Sequence, residues 1–297
     1  MKRETVIICN PGAGGATDRE SIRTKLEQFP DADIRFTSKA GDGTRLAKMA
    51  LADGVQTVIA AGGDGTLNEI LNGVAAQAAG IRVGLIPLGT GNDFARMLNL
   101  PNTIEECIEV LRAGHIRSID LVRVRAGKVR YFVNVSAGGF SGTVDEKLTP
   151  EIKQSWGPLA YVRCAAEAWP ELRAYGTEIE LDEVETLALD LYNVVIANGR
   201  YVAGGTVIAP EAMIDDGLLD VILVPKTPTV NLAMVAAQMM VGKHLTSEGV
   251  IFRRAAKISV KSKPGMWFNV DGELMGNKPA TFEVMPRALQ FLTGAAT

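Results

Sequence analysis

The chain has 297 residues, of which 47% are hydrophobic and 22% are charged, and its formal net charge is −3. This length predicts a large core divided between two domains, and the composition is that of a globular protein. The slight acidic excess argues against a nucleic-acid-binding protein, which usually carries a basic surface. It also argues against a membrane partner held by charge alone.

The cysteines and the apolar stretches predict a reduced, cytoplasmic protein. Cys9, Cys107 and Cys164 lie far apart without a CxxC spacing, which indicates thiols of the core rather than a disulfide or a zinc site. The apolar run near the N-terminus is too short for a signal peptide. The longest apolar stretch, residues 232–241, is half the length of about 20 residues that a bilayer span requires.

The first 120 residues alternate short apolar runs with segments of helical periodicity. Strands are predicted at 5–9, 33–37, 57–61 and 82–87. The helical segments that follow them place apolar residues on one face, namely Ile22, Leu26 and Phe29, then Leu46 and Ala50, then Leu67, Ile70, Leu71 and Val74, then Ile104, Ile108 and Leu111. This alternation predicts βαβ units and a parallel sheet covered by helices on both faces.

After about residue 120 the pattern changes to strands in succession. Residues 118–139 predict a hairpin whose strands join at Ala126 and Gly127, and further strands follow to residue 285. Only two helices are predicted here, over 158–169 and 229–243. The second half is therefore expected to be a mostly antiparallel β-sandwich, with the domain boundary near residue 125.

Three glycine-rich segments follow predicted parallel strands, at 10–15, 62–69 and 87–94. Each alone could be an ordinary turn, but parallel strands end at one edge, where ligands of open α/β sheets bind. Glycine lets the backbone approach a phosphate, and helix N-termini offer free N–H groups. The first segment is not GxGxxG and no P-loop is present, so a dinucleotide site and a Walker site are disfavoured. The negative charge of the phosphates would therefore be balanced by backbone amides, by magnesium and by Lys39 or Arg96.

A general base for phosphoryl transfer is expected among the carboxylates. The two histidines, His115 and His244, are interpreted as surface or capping residues. If residues 267–271 form a strand, Asp271 points to the same face as Trp267, with Glu273 two residues further. The alternative is a hairpin turn at Asp271, since Asp-Gly is a favoured turn pair. The sequence alone does not rank the two acids.

Asp64 also has two interpretations. It could cap the helix that follows it, or it could help to position phosphates or a magnesium-bound water. Asp120, near the domain boundary, is expected either to reach the ligand cleft or to be a solvated turn acid.

The ordered set of motifs resembles a known family. GGDGTLNE, the upstream NPGAGG and the downstream PLGTGNDFAR are followed by SIDL at 118–121, DDGLLD at 215–220 and VDGE at 270–273. Together they resemble the soluble diacylglycerol kinase and sphingosine kinase superfamily, and within it the bacterial lipid kinases. GGDGT by itself is shared with NAD kinases, so the order of the whole set carries the resemblance.

The resemblance implies a fold and a division of the chain. Residues 1–125 would form a Rossmann-like domain of the NAD kinase and diacylglycerol kinase type, completed by the C-terminal tail 286–297. Residues 126–285 would form the β-sandwich domain for the lipid substrate. ATP is expected in the cleft between them.

The resemblance also implies site residues. Glu273 is the expected proton acceptor, with Asp271 as its partner or rival. Asp93 and Asp120 would form a magnesium-linked acidic network, and a structural Mg²⁺ would be held by Asp216 with the carbonyls of Met213 and Leu218. The expected ATP contacts are Asn10, Thr37, Gly62, Gly63, Asp64, Gly65, Thr66, Leu67, Asn68 and Thr90. The turn at 41–43 reads GDG where the family has a GDA-like turn.

The expected function is an ATP- and Mg²⁺-dependent lipid kinase of phospholipid biosynthesis, with diacylglycerol converted to phosphatidic acid. An NAD kinase-like phosphotransferase and a non-catalytic nucleotide-binding regulator are the alternatives, and the intact DGE at 271–273 argues against the regulator. Transient peripheral membrane contact is expected through a basic run, although a solvated edge strand explains the same residues: Arg253, Arg254, Lys257, Lys261 and Lys263. The acceptor lipid and the oligomeric state stay open.

Overall fold

The computed structural model describes residues 4–15, 18–156, 159–240 and 242–294. The chain folds as two compact units. The first unit comprises Met1–Leu121 together with Pro286–Thr297, and the second comprises Val122–Met285.

The first unit is a parallel sheet flanked by helices, as the alternating pattern predicts. Its strands pair in the order β2-β1-β3-β4. The strands are β1 (Thr5–Cys9), β2 (Ala32–Phe36), β3 (Thr57–Gly62) and β4 (Arg82–Pro87). The helices are α1 (Arg19–Leu26), α2 (Asp42–Ala52), α3 (Asp64–Val74), α4 (Asp93–Met97) and α5 (Ile104–Ala113).

Local chemistry accounts for these elements. β3 is buried along its whole length, which is typical of a central strand covered on both faces. The α5 helix begins after Thr103, whose hydroxyl accepts the Glu106 N–H, and it ends at Gly114 with a φ of 71°. The predicted apolar face of α3 is buried, and Phe29, predicted on the first helix, lies beyond its end at Leu26.

The second unit is built from antiparallel strand pairs, which confirms the predicted class. Its centre is β9, which pairs with β7, β8 and β12. The strands are β5 (His115–Arg125, shared with the first unit), β6 (Val129–Phe132), β7 (Val135–Gly139), β8 (Tyr175–Leu181), β9 (Glu185–Ala197), β10 (Tyr201–Val202), β11 (Thr206–Val207), β12 (Leu219–Pro225), β13 (Ile251–Ala255), β14 (Lys257–Lys263), β15 (Phe268–Val270), β16 (Glu273–Gly276) and β17 (Ala280–Thr293).

The last strand, β17, contributes to both units. Its first residues pair with β14 in the second unit. In the first unit, Gln290 and Phe291 pair in parallel with Arg82 and Val83 of β4. The Phe291 ring contacts the Phe94 ring edge to face, with centroids 5.4 Å apart.

The helices of the second unit differ from the prediction. α8 (Leu159–Ala168) and α9 (Thr229–Met240) lie within the predicted ranges, but α6 (Phe140–Lys147) and α7 (Pro150–Trp156) were not predicted. Both are short and rich in polar or small residues, so they lack a clear 3.6-residue apolar repeat. Across the described residues, no helix combines the length and the apolar character that a membrane span requires.

The three cysteines are buried and none of them is in a disulfide, as interpreted from their spacing. Burial raises the pKa of Cys9 to about 12 and that of Cys107 to about 11. These thiols are therefore poor nucleophiles.

Candidate functional site

The glycine-rich loops of the first unit follow β1, β3 and β4, which are neighbours in the parallel sheet. The loop after β4 packs directly on the loop after β3. A Cβ added to Gly89 would lie 2.6 Å from the Gly63 Cα, so the two backbones touch and Gly89 has no room for a side chain. The Leu88 N–H also donates to the Gly62 carbonyl at 2.9 Å.

The loop after β1 joins the same edge. Gly14 has a φ of 63°, and a Cβ there would lie 2.3 Å from the Leu88 carbonyl oxygen. Asn10 holds its own loop by accepting the Gly12 N–H at 3.1 Å, and its amide donates to the Thr66 hydroxyl at 3.4 Å. The sequence prediction that the three loops meet is therefore confirmed within this unit.

Asp64 has a structural role that the sequence analysis only partly anticipated. It is the first residue of α3, and its carboxylate accepts the N–H groups of Asp93 at 3.0 Å and of Phe94 at 3.0 Å. It therefore caps α4, which lies 29 residues further along the chain, rather than the helix that it begins. The carboxylate thus fixes the third glycine loop to the second.

Glu69, which the sequence analysis did not single out, fixes a further loop. Its Oε1 accepts the Gly41 N–H at 2.8 Å and its Oε2 accepts the Gly43 N–H at 2.7 Å. The Thr44 hydroxyl donates to the Glu69 carbonyl at 2.7 Å. The sequence signal was its place at the end of the GGDGTLNE motif, and the groups that it binds lie at the start of the preceding helix, α2.

The same loop carries Thr37, a predicted ATP contact, whose N–H donates to the Cys9 carbonyl at 2.8 Å. Asp42 holds the turn after it by accepting the Ser38 hydroxyl at 2.7 Å and the Ser38 N–H at 2.9 Å. These bonds, with two from the Arg45 guanidinium, keep the pKa of Asp42 well below its usual range. The loop is therefore held at both ends in one conformation.

The other predicted ATP contacts divide by exposure. Gly65 and Thr90 are exposed, whereas the side chains of Leu67 and Asn68 are buried. Any contact of a ligand with Leu67 or Asn68 would thus have to use the main chain. Lys39 and Arg96, the candidate cations, are both exposed.

The predicted magnesium-linked acids are buried. Asp93 is 7% exposed. Asp120 is completely buried within β5, and its carboxylate accepts the Arg287 N–H at 2.7 Å. The interpretation of Asp120 as a solvated turn acid is therefore wrong.

In the second unit, Asp271 and Glu273 lie on a hairpin. β15 ends at Val270, and Asp271 and Gly272 form the turn with φ values of 44° and 91°. Positive φ at both central residues is the geometry that favours Asp-Gly in two-residue hairpins. The strand predicted over 267–271 is thus shorter, because the backbone reverses at Asp271, and Glu273 is the first residue of β16.

The two acids have different surroundings. The Asp271 carboxylate accepts the Val135 N–H at 2.9 Å and the Val133 N–H at 3.2 Å. The Glu273 side chain is 44% exposed, and its Oε2 lies 3.9 Å from the Nε of Arg130. Asp271 is thus committed to the backbone, whereas Glu273 is accessible.

The loop predicted to hold a structural magnesium ion offers oxygen atoms. Asp216 is exposed, and its Oδ1 accepts the Leu218 N–H at 3.0 Å. Nearby, Asp220 Oδ2 is buried and has no hydrogen-bond partner among the described residues. Burial raises the pKa of Asp220, and the carboxylates of Asp216 and Glu211 raise it further, against the lowering effect of Arg254. In the described part of the chain, no group of three acids, histidines or cysteines is arranged to hold a metal.

His244 corrects an expectation from the sequence. Its side chain is completely buried, and Nε2 lies 2.7 Å from the Ile208 carbonyl oxygen. The interpretation of His244 as a surface or capping residue is wrong, whereas His115 is exposed.

The basic run divides between β13 and β14, and most of its charge is matched by acids. Four of its five cations make ion pairs, namely Arg253 with Glu185, Arg254 with Asp220, Lys257 with Glu183 and Lys261 with Glu178. These ion pairs favour solvated basic residues over a surface for anionic lipid. The edge-strand interpretation fits β13, whose one partner strand among the described residues is β12, but it is wrong for the lysines of β14, which is paired on both sides with β8 and β17.

Comparison with known proteins gives two family matches. Residues 4–124 match the profile of the diacylglycerol kinase catalytic domain. Residues 134–293 match the profile of the YegS C-terminal NAD kinase beta sandwich-like domain.

Curated relatives match along the whole chain. The chain is 32% identical over 297 residues to the diacylglycerol kinase of Staphylococcus saprophyticus, covering 99% of this chain and 96% of the relative. It is 34% identical over 299 residues to the diacylglycerol kinase of Staphylococcus epidermidis, covering 99% and 93%.

Solved structures share the fold. One structure from Bacillus anthracis strain Sterne aligns with a TM-score of 0.82 and 24% identity, covering 99% of this chain and 97% of that chain. Another, described as a diacylglycerol kinase from the same strain, aligns with a TM-score of 0.74 and 22% identity, with the same coverage.

Proposed function

Because the chain belongs to the diacylglycerol kinase family, whose members are phosphotransferases with an alcohol acceptor, we propose that it transfers the γ-phosphoryl group of ATP to a lipid hydroxyl. The proposed acceptor is diacylglycerol and the product is phosphatidic acid. The observation that carries the proposal is the close contact of the glycine loops at the carboxyl end of the parallel sheet of the first unit.

The donor site is proposed at these loops. Their glycines leave the backbone N–H groups uncovered by side chains, and the following helices start there, which favours phosphate binding. The proposed contacts are Asn10, Thr37, the 62–68 segment and Thr90. The carboxylates of Asp64 and Glu69 would act indirectly, because they already hold backbone amides of neighbouring loops, so Asp64 would contact ATP through its main chain.

Glu273 is the proposed base. Its carboxylate would accept the proton of the lipid hydroxyl while the hydroxyl oxygen bonds to the γ-phosphorus and the bond from that phosphorus to the β,γ-bridging oxygen breaks. The exposure of Glu273 supports this role. Asp271 is proposed instead to hold the turn, since both its oxygens accept backbone N–H groups.

Magnesium is proposed at two places. Mg²⁺ bound with ATP would neutralise phosphate charge, and the buried acids Asp93 and Asp120 would act through their hydrogen-bond networks rather than as open ligands. The oxygen-rich 213–218 loop fits a second, structural ion held by Asp216 and the carbonyls of Met213 and Leu218. Asp220, two residues beyond this loop, already pairs with Arg254 through Oδ1, and its buried Oδ2 has no hydrogen-bond partner among the described residues.

A membrane-resident acceptor would require brief contact with a bilayer surface. We propose that this contact is peripheral. The paired cations of β13 and β14 do not favour those strands as its main site.

An assay with labelled ATP over a panel of acceptors tests the proposed reaction. The panel contains diacylglycerol, sphingosine, ceramide, monoacylglycerol, phosphatidylglycerol and NAD. Label is expected in phosphatidic acid and only with Mg²⁺ present. Transfer to NAD and to no lipid would overturn the proposal in favour of an NAD kinase, and ATP binding without any transfer would indicate a regulator.

The variant Glu273→Gln tests the base. Turnover is expected to fall by at least about 100-fold, because the amide cannot accept the proton, while the Kd for ATP stays within about twofold. Rapid-quench kinetics and equilibrium ATP binding measure the two quantities. Retained turnover would shift the assignment to Asp271.

A further inference from the structure

The position of Glu273 depends on the turn between β15 and β16, and residues outside this hairpin hold that turn. Val270 and Glu273 are paired across the two-residue turn, so any shift of the turn moves Glu273. The turn is held by Asp271, whose carboxylate accepts the N–H groups of Val133 and Val135 and whose own N–H donates to the Val135 carbonyl at 3.0 Å.

The 133–135 segment, which runs from the end of β6 to the first residue of β7, is itself held by Asn198. The side-chain amide of Asn198 donates to the Val133 carbonyl at 2.7 Å, and its N–H donates to the Asn134 carbonyl at 2.8 Å. Both main-chain polar groups of Val133 are thus engaged, the N–H by Asp271 and the carbonyl by Asn198.

Asn198 is held in place by the strand that precedes it. It follows directly after β9, which is paired with three strands, and its side chain is completely buried. A continuous series of hydrogen bonds therefore runs from the end of β9 through the 133–135 segment to the turn of the Glu273 hairpin.

The choice of asparagine at this position is not explained by stability alone. The Oδ1 atoms of Asn198 and Asn134 are both buried and have no hydrogen-bond partner among the described residues. Buried polar atoms without partners are unfavourable and uncommon in folded proteins. Asn198 has an unpartnered oxygen among the described residues, yet its amide group bonds the 133–135 segment that holds the hairpin turn. This combination points to a role in positioning the hairpin.

We propose that Asn198 is a positioning residue for the phosphoryl transfer, acting through the 133–135 segment and Asp271 to hold Glu273. The inference rests on the proposed function, because it concerns the residue proposed as the base. The sequence signal was the asparagine that ends the apolar run of β9 and precedes a glycine.

A double-mutant cycle tests this role. Asn198→Ala and Asp271→Asn are each expected to lower kcat by about 10- to 100-fold, since misplacement of a catalytic group by about 1 Å has effects of that size. The KM for ATP is expected to stay within about twofold. The double variant is expected to lie within about twofold of the slower single variant, because both changes release the same segment. Losses that multiply, or a kcat unchanged in Asn198→Ala, would overturn the proposal.

Thr177→Val is the matched control. Thr177 is 4% exposed in the same unit, and its hydroxyl also donates to a main-chain carbonyl, that of Tyr175 at 2.7 Å. Its kcat is expected to stay near that of the unaltered protein. A loss equal to that of Asn198→Ala would mean that any deleted buried hydrogen bond in this unit impairs turnover, which would overturn the specific role.

Hydrogen exchange separates this inference from the proposed function. Amides of residues 268–276 are expected to exchange faster in Asn198→Ala than in the unaltered protein or in Thr177→Val. Unchanged exchange there overturns the inference even when Glu273→Gln is inactive. If Glu273→Gln stays active, the proposed base is wrong whatever the exchange shows. Asn198→Leu keeps a branched side chain without the amide, and it replaces Asn198→Ala if that variant does not fold.

Discussion

Two acids separated by one residue can have different chemistry because their backbones differ. Asp271 has a positive φ, which turns its carboxylate towards two main-chain amides. Glu273 begins a strand and keeps a partly exposed side chain. The sequence identifies both acids as candidates for the base but does not decide between them. The reason is that residues 267–273 are compatible both with a two-residue hairpin turn and with a strand that continues through Asp271.

His244 gives the stability of the protein a pH dependence. Burial lowers its pKa below the ordinary value of about 6.5, so the unfolded chain binds a proton more readily than the folded one. His244 is therefore expected not to lower the free energy of unfolding above pH 6.5. Below pH 6.5 that free energy is expected to fall as the pH approaches the lowered pKa of the folded state. Urea unfolding at a series of pH values between 8 and 5 measures this free energy.

The control for this prediction uses the second histidine. His244→Gln is expected to flatten the decline below pH 6.5, whereas His115→Gln is expected to leave it unchanged, since His115 is exposed. An unaltered decline in His244→Gln would show that carboxylates alone cause it.

At the scale of elements, carboxylates fix the loops of the first unit. Asp64 caps α4 and Glu69 binds the backbone at the start of α2, so the positions of three loops depend on two side chains of α3. The glycines that make these loops compact leave few side chains to hold them. The acids supply the missing hydrogen bonds.

Glu69→Gln tests this arrangement. The amide side chain can accept only one of the two N–H groups, so the free energy of unfolding is expected to fall by about 1–2 kcal/mol. The KM for ATP is expected to rise by several-fold as the loop that bears Thr37 loosens. Urea unfolding and steady-state kinetics measure the two effects.

Glu109→Gln, on the exposed face of α5, is the matched control and is expected to change neither quantity. Equal stability of Glu69→Gln and the unaltered protein would contradict the proposed clamp.

The elements that could be predicted are those with a clear apolar period. β1, β3, β4 and the buried face of α3 follow directly from the spacing of apolar residues. The α6 and α7 helices could not be predicted, because their polar segments pack too few apolar residues to show a period. Contacts between distant residues, such as Asp64 with α4 or Asn198 with Val133, depend on the tertiary fold and leave no local signal.

At the scale of the whole molecule, the proposed donor site and the proposed base belong to different units, so binding and turnover can be altered separately. ATP at 100 times its Kd is expected to stabilise the folded protein by about 2.7 kcal/mol. Glu273→Gln is expected to retain this stabilisation, as measured by the rise in Tm on adding ATP with Mg²⁺.

Gly89→Ala is expected to lose most of this ATP-dependent rise in Tm. Its Cβ would lie 2.6 Å from the Gly63 Cα, so one backbone must move and the two loops separate. Gly80→Ala is the control, because a Cβ there meets no atom within 4 Å. A full ATP response in Gly89→Ala would place the nucleotide elsewhere.

The pairing of β17 with strands of both units has a consequence for folding during synthesis. Gln290 and Phe291 extend the first sheet beyond β4, yet they leave the ribosome only after every residue of the second unit has been synthesised. Until then the β4 edge has no partner on that side and the Phe94 ring lacks its aromatic neighbour. A nascent chain therefore presents an open, apolar strand edge from the synthesis of β4 until that of Gln290 and Phe291, which is when a holding chaperone would be of most use.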